Sequence, residues 1–166
     1  MYDARAVANF LLDYADRQGM HVTLLWLLKV IYYAHGWHLN QRQQPLISQS
    51  FEAWEHGPVV RVVYDAFKGR ESAPIIWRAK RFNVIENRLL EIHDDIEPVV
   101  KAFLENVIDA YAHISATDLS QATHSKGSPW DRVWNAPNGQ ISIGMKISNE
   151  YIRTWFSEAR AAGVAH

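Results

Sequence analysis

Cysteine is absent from the 166-residue chain, which excludes disulfides, thiolate zinc sites and a cysteine nucleophile and fits a reducing interior. Charge of one sign is equally scarce. Lys and Arg number 17 against 18 Asp and Glu, a formal net charge of −1, so no global attraction draws the chain to nucleic acid or an anionic membrane. No apolar run reaches the roughly 20 residues of a spanning helix, because the stretch 24–39 is interrupted by Lys29, His35, Gly36 and His38. The opening MYDARAVANFLL lacks a basic leader followed by an apolar stretch and a small-residue cleavage site. A soluble cytoplasmic protein without a membrane partner is the expectation. Neither a Walker loop, a dinucleotide fingerprint nor a Gly-x-Ser-x-Gly elbow occurs. Repeats, low-complexity tracts and Ser- or Pro-rich linkers are also missing, so one domain over residues 1–166 is expected.

Aromatics and apolar periodicity are abundant. The chain is 48% hydrophobic with seven Trp, seven Tyr and six Phe, more than a plain core requires and of the kind enriched where proteins grip one another. Asp3 caps a first amphipathic helix carrying Val7, Phe10, Leu11 and Tyr14, with Gly19 as its stop. Thr23 caps a second, LLWLLKVIYYAHGWHL, apolar on every face and so expected at the centre. FEAWE reads as a short strand over 51–55, with Phe51 and Ala53 on one face and Trp54 on the other.

A helix start is expected next, with Gly57 as its cap and Pro58 as its first residue, and with Val59, Val62, Val63 and Phe67 as the buried stripe before Gly69. The stretch 76–92 reads as a β-hairpin turning at Glu86-Asn87-Arg88. A long helix over 96–111, capped by Asp94 or Asp95, follows. Ser115 with Asp118 forms a capping box. Ser128 and Pro129 start a helix whose Trp130 and Trp134 share a face, Pro137-Asn138-Gly139 marks a turn, and Ser148 opens the last helix with Ile152, Trp155 and Phe156 inward. The fold class is mainly α (α+β): a helical domain with a small antiparallel β element.

Four chemistries compete for the remaining residues. His35 and His38 lie three apart on one helix and, with His56 or His124, would bring imidazoles to a metal, but no acid accompanies them as in His-Glu-x-x-His. Ser115, Ser120 or Ser128 beside His124 would supply a nucleophile, although each serine sits at or near a helix end and has a capping role there. Neither reading is favoured, and no cofactor or metal is expected. The segment 61–88 carries seven basic and three acidic residues, against two and eight over 89–131. A DNA-binding helix and hairpin over 58–92, using Arg78, Lys80 and Arg81, is the alternative that follows. The fourth reading is protein binding. Trp54, Glu55, His56, Arg61 and Tyr64 are unclaimed by the buried stripe and reach outward around the junction, and Trp, Tyr and Arg are the usual interface anchors. Lys29, a lone charge in an enclosed helix, needs a mate, with Glu52 or Glu55 the expected carboxylate.

Three segments, TLLWLLKVIYYAHGWHL, FEAWEHGPVVRVVYDAFK and LSQATHSKGSPWDRVW, together resemble the Panacea domain, the fold of SocA-like antitoxins and phage-associated GepA-like proteins. The pairing of LKVIYYAHGW, with Lys29, Tyr32, Tyr33, Gly36 and Trp37, and AWEHGPVV, with Gly57 and Pro58, carries the likeness. Thr123-His124 and Pro129-Trp130 add to it. The resemblance implies a non-enzymatic antitoxin that neutralises a toxic protein encoded beside it by direct binding, and for the SocA-like branch an adaptor that delivers the toxin to the ClpXP protease. His124 and Trp130 are expected to pack against the central helix and close the same pocket as Trp54.

Overall fold

The computed structural model describes residues 1–69, 72–136 and 143–162. The chain is mainly α with a small β element, and seven α-helices occur among those residues. In order they are α1 (Ala4–Arg17), α2 (Leu24–Arg42), α3 (Arg61–Phe67), α4 (Pro98–Tyr111), α5 (Ala116–Thr123), α6 (Pro129–Trp134) and α7 (Asn149–Ala161). Five strands accompany them: β1 (Phe51–Trp54), β2 (Gly57–Val59), β3 (Lys80–Asn83), β4 (Arg88–Glu91) and β5 (Lys146–Ile147). The order β2-β1-β5 forms one sheet and β3-β4 a separate hairpin. No helix among the described residues is long and apolar enough to cross a membrane.

The apolar character of α2 on every side has its counterpart in packing. Fourteen of its residues are buried, and α1, α3, α4, α5 and α7 all lie against it, each large side chain so enclosed contributing about 1.5–3 kcal/mol. Tyr33 stacks on Tyr111 of α4 at 4.8 Å and donates its hydroxyl to Leu119 O of α5 at 3.2 Å. Trp37 donates to the Tyr111 hydroxyl at 2.9 Å, and Tyr32 meets Phe51 and Phe156 edge-on. Gly36 lies directly under the Phe156 ring, where a Cβ would overlap ring carbons. We therefore expect Gly36→Ala to force α7 away from α2 and to lower stability by about 1–3 kcal/mol, measurable by urea unfolding; an unchanged midpoint would refute this packing.

Local caps set the helix starts where they are expected. Asp3, Thr23, Ser115, Ser128 and Ser148 each accept a backbone N–H from the first turn of α1, α2, α5, α6 and α7, and Trp130 stacks on Trp134 at 5.3 Å. Three expectations need correction. The long helix begins at Pro98 after Glu97, not after Asp94 or Asp95, because the Asp94 carboxylate instead accepts from the Asp3 backbone N–H. The distal hairpin turns over 84–87 rather than 86–88: Asn83 Oδ1 accepts from Ile85 N at 3.0 Å and Glu86 N at 3.1 Å, which draws Val84 and Ile85 out of the strand into the turn. Gly57 and Pro58 do not start a helix. Gly57 adopts φ +99°, outside the extended range of a helix cap, and with Pro58 forms the return strand β2, with Ala53 facing Pro58 and Trp54 facing Gly57. Pro58 is tolerated because β2 is an edge strand, and α3 starts only at Arg61. The expected turn at Pro137-Asn138-Gly139 lies outside the described residues.

Candidate functional site

The β1–β2 hairpin projects its tip, Glu55 and His56, between α2, α5 and α6. Three successive alternate carbonyls of this tip are held by side chains from three different helices. Trp130 Nε1 of α6 donates to Trp54 O at 2.7 Å, Ser120 Oγ of α5 to His56 O at 2.8 Å, and Lys29 Nζ of α2 to Pro58 O at 3.1 Å. A hairpin of three- and four-residue strands is marginal by itself; these bonds, each worth about 1 kcal/mol, fix its conformation.

Lys29 has no carboxylate mate of the kind expected. It is fully buried, and burial alone lowers its pKa from 10.5 to about 7. The expected partner Glu52 faces outward on β1 and binds Arg61 instead, through Arg61 Nη2 at 2.6 Å and Nε at 3.1 Å. Glu55 is exposed at the tip. The alternation of β1 explains this, since Phe51 and Ala53 occupy the buried face and leave Glu52 and Trp54 on the other.

On that outer face Glu52 gathers the residues that sequence reasoning singled out. It accepts from Trp54 Nε1 at 2.8 Å, the Arg61 guanidinium lies 5.1 Å over the Trp54 ring, and Tyr64 meets Trp54 edge-on at 4.9 Å. Trp54, Glu55, His56 and Tyr64 then line a groove of about 570 Å³ whose remaining walls are Leu24, Leu25, Leu28, Val59 and Ser72. Trp54, Glu55, His56, Arg61 and Tyr64 are thus brought together, but around a hairpin tip rather than a helix N-terminus. Leu24, Leu25 and Leu28 were not among the sequence candidates, and Glu52 was expected at Lys29 rather than at Trp54 and Arg61; no local pattern separates a groove-lining leucine from a core one in a helix apolar on every face.

His124 and Trp130 lie behind the tip, on its inner side. Their rings meet at 4.1 Å, and His124 Nε2 is buried without a hydrogen-bond partner among the described residues. Burial, then the nearby Lys29 charge, hold its pKa below the ordinary value against the opposing pull of the Glu55 backbone. Thr123 Oγ1 donates to Ser120 O at 2.6 Å and closes the same interior against Gly57.

The metal and nucleophile readings find their residues occupied. His35 Nε2 meets Asn149 Oδ1 at 2.9 Å and burial lowers its pKa to about 4; His38 Nδ1 meets Gln44 O at 2.8 Å. Among the described residues no group of three potential ligands is close enough to hold a metal. Ser115, Ser120 and Ser128 donate to Asp118, His56 O and Thr123 O. Of the basic run, Arg78 is locked between Asp13 and Asp16, Arg61 by Glu52, Lys68 by Asp65 and Arg88 by Glu86, while Lys80 and Arg81 stay exposed on β3; two adjacent cations make few of the phosphate contacts on which nucleic-acid affinity depends.

Comparison with known proteins shows the family. Residues 27–131 match the family described as Antitoxin SocA-like, Panacea domain. The chain belongs to the SocA-like Panacea family. It is also 34% identical over 154 residues to a protein named Antitoxin SocA from Caulobacter vibrioides (strain NA1000 / CB15N), covering 93% of this chain and 82% of that one. No solved structure matches it. The Panacea match takes in α2 from Leu27 onward, the β1–β2 hairpin, α5 and the first three residues of α6, and so includes Lys29, Ser120 and Trp130, the side chains that clamp the tip.

Proposed function

We propose that this chain is an antitoxin, acting as one non-catalytic unit over residues 1–166, that neutralises a toxin encoded beside it by direct protein contact through the groove at the β1–β2 tip. Family membership supports the antitoxin role. The single structural observation that supports the site is the three-carbonyl clamp: it fixes the backbone beneath Trp54, His56 and Tyr64 while leaving an apolar groove with aromatic walls open to a partner. A surface ordered before binding loses little entropy on docking, and Trp and Tyr in such settings carry most of the binding energy.

Expressed alone, the neighbouring gene should arrest growth; co-expression of this chain should restore it. The double substitution Trp54→Ala, Tyr64→Ala should abolish rescue, whereas Lys101→Ala, on the exposed side of α4, should leave it intact. A neighbour that is not toxic would end the antitoxin reading. Blocking and delivery to ClpXP separate in the same assay, because rescue by an adaptor disappears in cells lacking the protease.

A further inference from the structure

The β3–β4 hairpin combines a rigid base with an uncovered apolar arm. At the base, Ala79 and Ile92 are buried, and Ile92 N donates to Ala79 O at 2.9 Å. Asn9 of α1, fully buried, grips both: its Nδ2 donates to Ala79 O at 3.0 Å and Ile92 O at 2.9 Å, and its Oδ1 accepts from Ala79 N at 2.8 Å. Arg78, immediately before, is held by Asp13 and Asp16 of the same helix. Beyond this grip nothing among the described residues covers the arm. Phe82 and Leu89 face each other across the strands at 56% and 62% exposure, and Val84 and Ile85 at the tip reach 81% and 96%.

Two further features define what fits there. The sheet has two strands, so the outer edge of β3 has no neighbouring strand among the described residues, and open edges of this kind accept an added strand. That strand also carries Lys80 and Arg81, both exposed and neither ion-paired among the described residues, and it contains no acid. On β4, Arg88 is paired with Glu86, and Glu91 sits opposite Lys80 in the ladder and near His93, leaving β3 itself with two cations and no acid. Charge therefore favours an acidic segment along β3 over a basic one.

We propose that this arm is a second docking element, which takes an extended segment of a partner protein, alternating apolar and acidic residues, as a third strand along β3. Under the function proposed above that partner is the toxin, gripped at two places; the chemistry of the arm itself does not depend on toxicity. Phe82, Leu89 and the tip residues supply the apolar contact, Lys80 and Arg81 select the charge, and the Asn9 grip removes the cost of ordering the ribbon on binding.

The test is selection of random twelve-residue peptides displayed on phage against the immobilised full chain, with binding of enriched peptides then measured by fluorescence anisotropy. Peptides alternating apolar and acidic residues should be enriched, and Phe82→Asp should weaken them at least tenfold with an unchanged thermal midpoint. Lys80→Glu, Arg81→Glu, which leaves the apolar contacts in place, should shift enrichment to basic peptides. Trp54→Ala, Tyr64→Ala should leave the affinity of the enriched apolar–acidic peptides unaltered, so that loss of toxin rescue and loss of arm binding are read separately. Enrichment that is absent, basic on the wild-type chain, or indifferent to both arm variants would overturn the proposal. So would a wild-type dimer in solution that Phe82→Asp converts to monomer, since a second copy would then be what covers the arm.

Discussion

Gly57→Ala is expected to lower stability by about 2–6 kcal/mol and to eliminate toxin rescue. Two costs add. A side chain at φ +99° is strained by about 1–3 kcal/mol, and its Cβ would fall on Thr123 Oγ1 and 2.8 Å from Lys29 Nζ, an overpacking cost of about 1–3 kcal/mol more. Neither neighbour can retreat cheaply. Thr123 is buried and bonded to Ser120 O, and Lys29 holds the Pro58 carbonyl. Gly19 provides the control, because it also has positive φ, +68°, but open space around it. Urea unfolding of both alanine variants should show the backbone cost alone at position 19 and both costs at position 57; equal losses would mean that the close approach behind the hairpin tip does not exist.

The second large effect is on the pH dependence of stability. Burial holds Lys29 at about 7 in the folded chain against 10.5 unfolded. Between those values the unfolded chain binds a proton that the folded chain has released, so stability rises with pH through the window from about 7 to 10.5, by up to about 1.4 kcal/mol per pH unit, and Lys29 adds no slope below it. Lys29→Met should remove this slope. The comparison is of slopes rather than absolute stabilities, because methionine also leaves Pro58 O without its donor. Unfolding free energies of the two proteins at pH 7, 8 and 9 should therefore diverge progressively in favour of the wild type; parallel profiles would show that burial does not lower the Lys29 pKa.

Much of the helical frame was legible because its signals are local. Asp3, Thr23, Ser115, Ser128 and Ser148 each announce a helix within three residues, and the all-round apolar character of α2 indicates a central position without knowledge of its neighbours. The failures are equally physical. Gly-Pro is a good helix start when glycine has an ordinary φ and a good strand start when it does not, and only the packing of Thr123 and Lys29 against Gly57 distinguishes the two. The partner of Lys29 is a backbone carbonyl that becomes available only after the hairpin has formed, so a search among carboxylates could not find it. Glu52 is assigned to Arg61 by the pleat of β1. At the distal hairpin the strands were readable but the turn was displaced by the Asn83 side chain, and the Asn9 grip, spanning 70 residues to Ala79, leaves no trace in any local pattern. Trp54, Glu55, His56, Arg61 and Tyr64 were recognisable as a group because they are what remains once the buried stripe is removed.

The most direct test is calorimetric titration of the purified neighbouring gene product with this chain and with its Trp54→Ala, Tyr64→Ala variant. A tight stoichiometric complex that weakens at least thirtyfold in the variant, equivalent to about 2 kcal/mol or more at one hot spot, is the predicted result. Equal affinities for the two proteins, with both folded, would place the partner elsewhere and contradict the groove at the hairpin tip as its seat.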